Sequence, residues 1–414
     1  MYLNFPKESV MENKISFIEN PSIEMVKGFH SNGVAAGIKK EGVLDLGVVL
    51  SEVDCIGTGM FTTNKVKAAP VLVCQKLVKN KLRAVVVNSG NANACTGTLG
   101  IEDAYNTCKE CSELFGIPVE SVLPMSTGVI GQRLPFGSIS SGLSKAAKII
   151  KDPNPNNFAR AIMTTDTRMK IYGVTVKNKN YEYHIVGVAK GSGMIHPNMA
   201  TTLSFLFTDA RVSKKALKKA FHAAVEKSFN SITVDGDMST NDSTFLISSG
   251  LAGNKEINGG NDDYRLFAKA VEITAAAMAK SIVQDGEGAT KLVEIYVKNA
   301  KTEKEAKQVA MSVATSNLVK TAFYGEDANF GRILCAVGYC GVDFKPTKLK
   351  LYFDNLLLFK NGEPTSFNET EAAEILKKDS FKVIIDLDKG SKSWSVWTSD
   401  LSHEYVRINA DYRS

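Results

Sequence analysis

The sequence predicts a mixed α/β protein with a large N-terminal unit and a smaller C-terminal one. Three observations carry that reading. Short strands punctuated by glycine fill about the first 130 residues. Amphipathic helices then alternate with strands. Beyond about residue 290 the pattern restarts as a strand, a capped helix and a group of strands. The expected boundaries are 1–27 for a lead-in and first strand, 28–289 for the main unit, and 290–414 for the smaller unit.

The bulk numbers restrict the class. A chain of 414 residues suits two or three domains with ample core. With 44% hydrophobic and 23% charged residues, nothing points to disorder or a fibrous repeat. The net charge of +6 comes from lysines spread along the chain, which gives nucleic-acid binding little support. No apolar run approaches the length of a membrane span. The opening MYLNFPKESVMENK has no apolar core of a signal peptide, and Met11 stands as an alternative start. Seven thinly spread cysteines read as reduced thiols, so a cytoplasmic location is expected.

Taken in order, GVAAGIKK (33–40), LDLGVVLS (44–51) and CIGTGMFTTNKVKAAPV (55–71) read as paired strands with tight turns. LRAVVVNSGNANACTG runs from a buried strand into an Asn- and Gly-rich loop, and a helix follows over 101–114. In LPMSTGVIG, Thr127-Gly128 reads as a turn whose backbone N–H groups can point outward together. Residues 134–165 read as one helix. Ser213 starts a helix with Ala216, Leu217, Ala220, Phe221, Ala224 and Val225 on its packing face and four lysines on the other. A long helix over 264–283 leads to QDGEGATK, which places Glu287 between glycines. In the smaller unit Thr302-Glu-Lys-Glu305 is a capping box. The closing YVRINADYRS reads as a strand.

Several motifs fail. Gly191-Ser-Gly193 and Gly57-Thr-Gly59 lack the third glycine of a dinucleotide loop, and no phosphate-binding P-loop occurs. Five scattered histidines fit neither a zinc hydrolase nor a serine triad. Cys108 and Cys111 have no second pair at metal-binding spacing, and Asp235, Asp237 and Asp242 lack the closing glutamate of a calcium loop. No metal and no cofactor is expected.

What remains is KGSGMIHPNMATTLSFLFT, in which Thr201 opens a buried strand. A rigidly mounted hydroxyl needs a base nearby. If the bond between Ala200 and Thr201 is cut, the freed α-amine, with a reference pKa of about 8, is a base on the same residue. The plain alternative is a β-branched residue at a favourable strand position.

The stretch KGSGMIHPNMATTLSF resembles the cleavage-site signature of the ornithine acetyltransferases, also called glutamate N-acetyltransferases, of arginine biosynthesis. GVAAGIKK, GTGMFTTN, VVNSGNANACTG, MSTGVIG, AIMTTDT, VDGDMSTND, DGEGATK, YGEDANFGRI and YVRINADY resemble the family in the same order, from about residue 28 to the end. The resemblance implies a precursor that cuts itself between Ala200 and Thr201. It implies a four-layer α/β/β/α fold like that of N-terminal nucleophile hydrolases, with a C-terminal unit whose tail returns to the active site. The cleaved chains would associate, as α2β2. Thr201 matches the family's nucleophile and Thr127 with Gly128 its oxyanion hole. Thr164, Lys190, Glu287, Asn409 and Ser414 match substrate-holding positions. His196 and Thr202 depart from the small residue and the methionine usual beside the cut. The expected reaction moves an acetyl group from N2-acetyl-L-ornithine to L-glutamate, with acetyl-CoA as a further possible donor. Lys190 suits the shared α-carboxylate and Glu287 the ammonium, while Asn409 and Ser414 can serve either end. A self-processed amidohydrolase or aminopeptidase is the rival enzyme, and a basic binding module the rival of another class.

Overall fold

The computed structural model describes residues 14–152, 154–178, 181–196 and 202–411. The N-terminal half runs β1 (Ile15–Phe17), β2 (Phe29–Val34), β3 (Leu46–Phe61), α1 (Ala69–Leu77), β4 (Leu82–Asn91), α2 (Gly97–Phe115) and β5 (Val122–Val129). It continues with α3 (Phe136–Ile149), α4 (Asn157–Ile162), β6 (Lys170–Lys177), β7 (Glu182–Lys190) and β8 (Leu203–Thr208). Then come α5 (Lys214–Lys227), β9 (Ile232–Thr233), β10 (Ser243–Ser248) and α6 (Asp262–Gln284). The C-terminal part runs β11 (Leu292–Ala300), α7 (Glu303–Ala314), α8 (Asn317–Tyr324), α9 (Phe330–Gly338), β12 (Lys350–Phe353) and β13 (Leu356–Lys360). It ends with β14 (Glu363–Pro364), α10 (Glu369–Leu376), β15 (Ser380–Asp386), β16 (Lys392–Ser399) and α11 (His403–Asp411).

The long strand β3 organises the first unit. Its first half pairs with β2 and β4, and β4 with the edge strand β5. Its second half pairs with β10, which continues through β8, β7, β6 and β1. The register shifts between Leu50 and Cys55, and there the strand leaves one sheet for the other. Two strands with a turn between them were expected here; one strand carries both. The sheets face each other across an aromatic layer: Phe158 of α4 packs on Phe205 at 5.7 Å, and Phe29 on Phe207 at 5.0 Å between ring centres. On the outer face of the β10 sheet, Leu206 and Leu246 pack with α5 and α6, while α1, α2 and α3 cover the β4 sheet. The layers are therefore α/β/β/α.

The six apolar residues expected on the packing face of α5 are all buried. The single helix expected over 134–165 is two helices, α3 and α4. Thr127 and Gly128 lie within a strand, not a turn, and Pro124 is tolerated there because β5 is an edge. Strands β11 to β16 form a separate sheet in the C-terminal part, to which β9 adds an edge from the first unit. The closing strand expected from YVRINADY is the helix α11. None of the described helices is long and apolar enough to cross a membrane.

A buried ion cluster ties the site's elements together. The Lys170 ammonium at the start of β6 donates to Asp166 at 2.6 Å and to Asp285, at the end of α6, at 2.5 Å. All three side chains are essentially inaccessible. Asp285 also accepts from Thr167 and Arg168. Burial alone would raise the Asp166 pKa; Lys170, Lys190 and the Gly191 amide outweigh it and bring it down from 3.8 to about 2.

Two outcomes follow from this cluster. Lys170→Met leaves two buried carboxylates without their cation and should cost about 3–5 kcal/mol in denaturant unfolding. Because the folded pKa of Asp166 lies below its unfolded value, its stabilisation is present above about pH 4 and is lost as pH falls through about 2. Asp166→Asn should therefore flatten that part of the stability profile, read as the difference between the two proteins' midpoints across the window.

Candidate active site

A pocket lined by the ends of β5 and β7 opens between the sheets. Lys190 closes β7 with 3% of its surface exposed, and its ammonium donates to the Thr127 hydroxyl at 3.2 Å. Asp166, the carboxylate that acts most strongly on its charge, is already taken up by Lys170 and the Gly191 amide. Burial lowers the Lys190 pKa below the usual 10.5, and Lys170 pushes the same way against Asp166. Asp242 is also near, but burial holds its carboxyl well above the ordinary range against the pull of Lys190. Thr127 is thus the one hydrogen-bond partner of the ammonium among the described residues, and the remaining donors suit an incoming anion. Since the Thr127 oxygen accepts from Lys190, its own proton is left to donate.

Gly128 has φ +133°, and a Cβ there would lie 2.3 Å from the Gly90 carbonyl carbon. Only glycine lets the end of β5 approach β4 so closely. The loop after β7 is held by its backbone. Gly191 N donates to Asp166 at 2.7 Å, and Met194 N and Ile195 N to the Asp235 carboxylate at 2.6 and 2.9 Å. Asp235, weighed in the sequence as a calcium ligand, is committed to these amides. The Glu287 amide donates to the Ser192 carbonyl at 2.9 Å, and the Glu287 carboxylate packs so tightly over Gly193 that a Cβ there would meet it at 2.3 Å. Asn409 on α11 donates through Nδ2 to Glu287 Oε2 at 2.8 Å. As a helix, the tail brings Asn409 to the pocket while its Nδ2 also bonds the Tyr405 carbonyl one turn back, at 3.0 Å.

Of the residues singled out in the sequence, Thr127, Gly128, Thr164, Lys190, Glu287 and Asn409 line this one pocket. Ala200, Thr201 and Ser414 lie outside the described residues. Thr165, Ser239 and Asn241 line it as well. Their presence had no signal in spacing: Thr165 was expected at the end of a helix, and Ser239 and Asn241 in an acidic loop. The Thr164 amide donates to Asp166 Oδ2 at 2.9 Å, which links the pocket wall to the ion cluster.

The chain's likeness to known proteins is extensive. The profile of the ArgJ family matches residues 30–414. The arginine biosynthesis bifunctional protein ArgJ of Thermotoga neapolitana is 46% identical over 396 residues, covering 94% of this chain and 99% of that protein. Its namesake from Caldanaerobacter subterraneus is 47% identical over 397 residues, covering 95% and 98%. A solved ornithine acetyltransferase from Mycobacterium tuberculosis, complexed with ornithine, is 33% identical, covers 46% of this chain and 100% of that chain, and aligns with a TM-score of 0.41. With relatives of such identity matched nearly end to end, the chain belongs to the ArgJ family.

Proposed function

We propose that this acyltransferase of arginine biosynthesis carries the acetyl group from N2-acetyl-L-ornithine to L-glutamate on the hydroxyl of Thr201. The observation that carries the reading is the pocket, in which a buried cation, Lys190, and a carboxylate, Glu287, line one cavity. An α-amino acid with a cationic tail offers a carboxylate to Lys190 and an ammonium to Glu287. Glutamate shares the α-carboxylate, so the same cation serves both acyl donor and acceptor.

The chemistry begins with processing. The Thr201 oxygen attacks the Ala200 carbonyl, the C–N bond breaks with its nitrogen taking the proton, and water hydrolyses the resulting ester. The two pieces stay joined, because β7 from the first and β8 from the second pair from Lys190–Leu203 to Ile185–Thr208. In the cut protein the Thr201 amine accepts the hydroxyl proton as the oxygen attacks the acetyl carbonyl. The oxyanion forms against Thr127 and Gly128. Ornithine leaves with the transferred proton on its amine. The amine of glutamate then attacks the acetyl ester, and N-acetylglutamate departs with Thr201 restored. Acetyl-CoA can load the same hydroxyl, with its thiol as leaving group. Seven unpaired cysteines suit the reducing cytoplasm where we place the reaction.

The self-processed amidohydrolase reading differs in where the acetyl group goes: acetate in solution against acetylglutamate. Thr201→Ala should give one uncut band on a denaturing gel and no acetylglutamate; a cut and active variant removes Thr201 from the mechanism. Lys190→Met should raise KM for acetylornithine by about 10- to 100-fold, the scale of one charged hydrogen bond. An unchanged KM in steady-state kinetics would free Lys190 of the carboxylate role.

A further inference from the structure

We propose that Asn241 is a positioning residue that fixes the end of β5, and with it Thr127 and Gly128, through a single amide nitrogen. The inference rests on the reading of those two residues as the oxyanion site. Asn241 sits just ahead of β10 with 4% of its surface exposed. Its Nδ2 donates at 2.6 Å to the Ala92 carbonyl, just past β4, and at 2.8 Å to the Ser126 carbonyl, beside Thr127. Both neighbours are acceptors, so only the nitrogen end of the amide can face them. The Asn241 oxygen accepts from Thr240 Oγ1 at 2.6 Å, and its backbone N–H donates to Ser239 Oγ at 3.0 Å. Its own carbonyl accepts from Ser243 Oγ at 3.2 Å, so every polar group of the residue has a partner. Its amide nitrogen is taken up by two backbone carbonyls, which makes its place in the pocket wall that of a brace.

The brace answers a local weakness. β5 is an edge strand, bonded to β4 on one side only. The β4–β5 ladder is itself irregular there, since Asn91 stands opposite both Thr127 and Val129. A bulge beside an edge leaves the strand end free to shift. Asn241 stands just ahead of β10 in the opposite sheet, so its two bonds tie the ends of β4 and β5 to that sheet. A displacement near 1 Å in such a site costs on the order of 100-fold in rate.

The test uses the full, self-cleaved enzyme. Asn241→Asp keeps the shape but turns an oxygen toward two carbonyls, and Asn241→Ala removes the amide. Both should lower kcat by about 100-fold while KM for acetylornithine stays within about twofold, because Lys190 and Glu287 are untouched. Ornithine binding by calorimetry reports whether the pocket is intact in each variant. Combined with Thr127→Val, the losses should not multiply, since both act through one strand end. A variant that binds ornithine and keeps kcat within about twofold of the parent overturns the proposal, as do losses that multiply. If Thr127→Val alone leaves kcat intact, the oxyanion reading fails first; if it is slow while Asn241→Asp is not, only the brace fails.

Discussion

A buried ammonium with one direct partner is the constraint on which the rest of this site depends. Lys190 is almost inaccessible, and among the described residues its charge meets a hydroxyl, not a carboxylate. Burying a cation this way is costly unless something else supplies the missing contacts. The fold supplies a field of charge around it instead: Asp166 and Asp242 pull its pKa up while burial and Lys170 push it down. In the reaction proposed above, a substrate carboxylate completes the balance.

Holding that cation in place explains much of the surrounding architecture. Asp166, Lys170 and Asp285 join three elements, and the same carboxylate that neutralises Lys170 also catches the Gly191 and Thr164 amides. Asp235 fixes the next turn of the loop through Met194 and Ile195. The described part of the loop after β7, residues 191–196, is therefore anchored by two carboxylates. Such anchoring suits the self-cleavage proposed above, because an internal bond reacts fast only when its geometry is fixed beforehand.

Much of this was legible in the residues. The packing face of α5, the buried strand at β4 and the capping box of α7 follow from periodicity and cap chemistry, and Thr302 does accept from the Glu305 amide. The misreadings have physical causes. Glu52 and Asp54 look like a turn, yet β3 runs straight through them because it changes sheets there. The β-branched residues of YVRIN suggest a strand, yet that tail is a helix whose Asn409 is tied to Glu287. The pocket residues Thr127, Gly128, Thr164, Lys190, Glu287 and Asn409 span nearly three hundred positions of the sequence and share no spacing. A family resemblance could propose them together, whereas periodicity could not. Asn241 lies in the resembling stretch VDGDMSTND but received no role there, because a brace on another strand's carbonyls leaves no pattern of its own.

The central claim is that one hydroxyl carries the acetyl group between two amino acids that occupy the same pocket in turn. It is tested most directly by mixing the cut enzyme with acetylornithine alone, quenching in acid, and measuring the mass of the second piece's N-terminal peptide. The account predicts a gain of one acetyl group on Thr201 that disappears when glutamate is added before the quench. A peptide that stays unmodified while acetylglutamate forms at the usual rate would contradict it, since the transfer would then pass directly from one amine to the other.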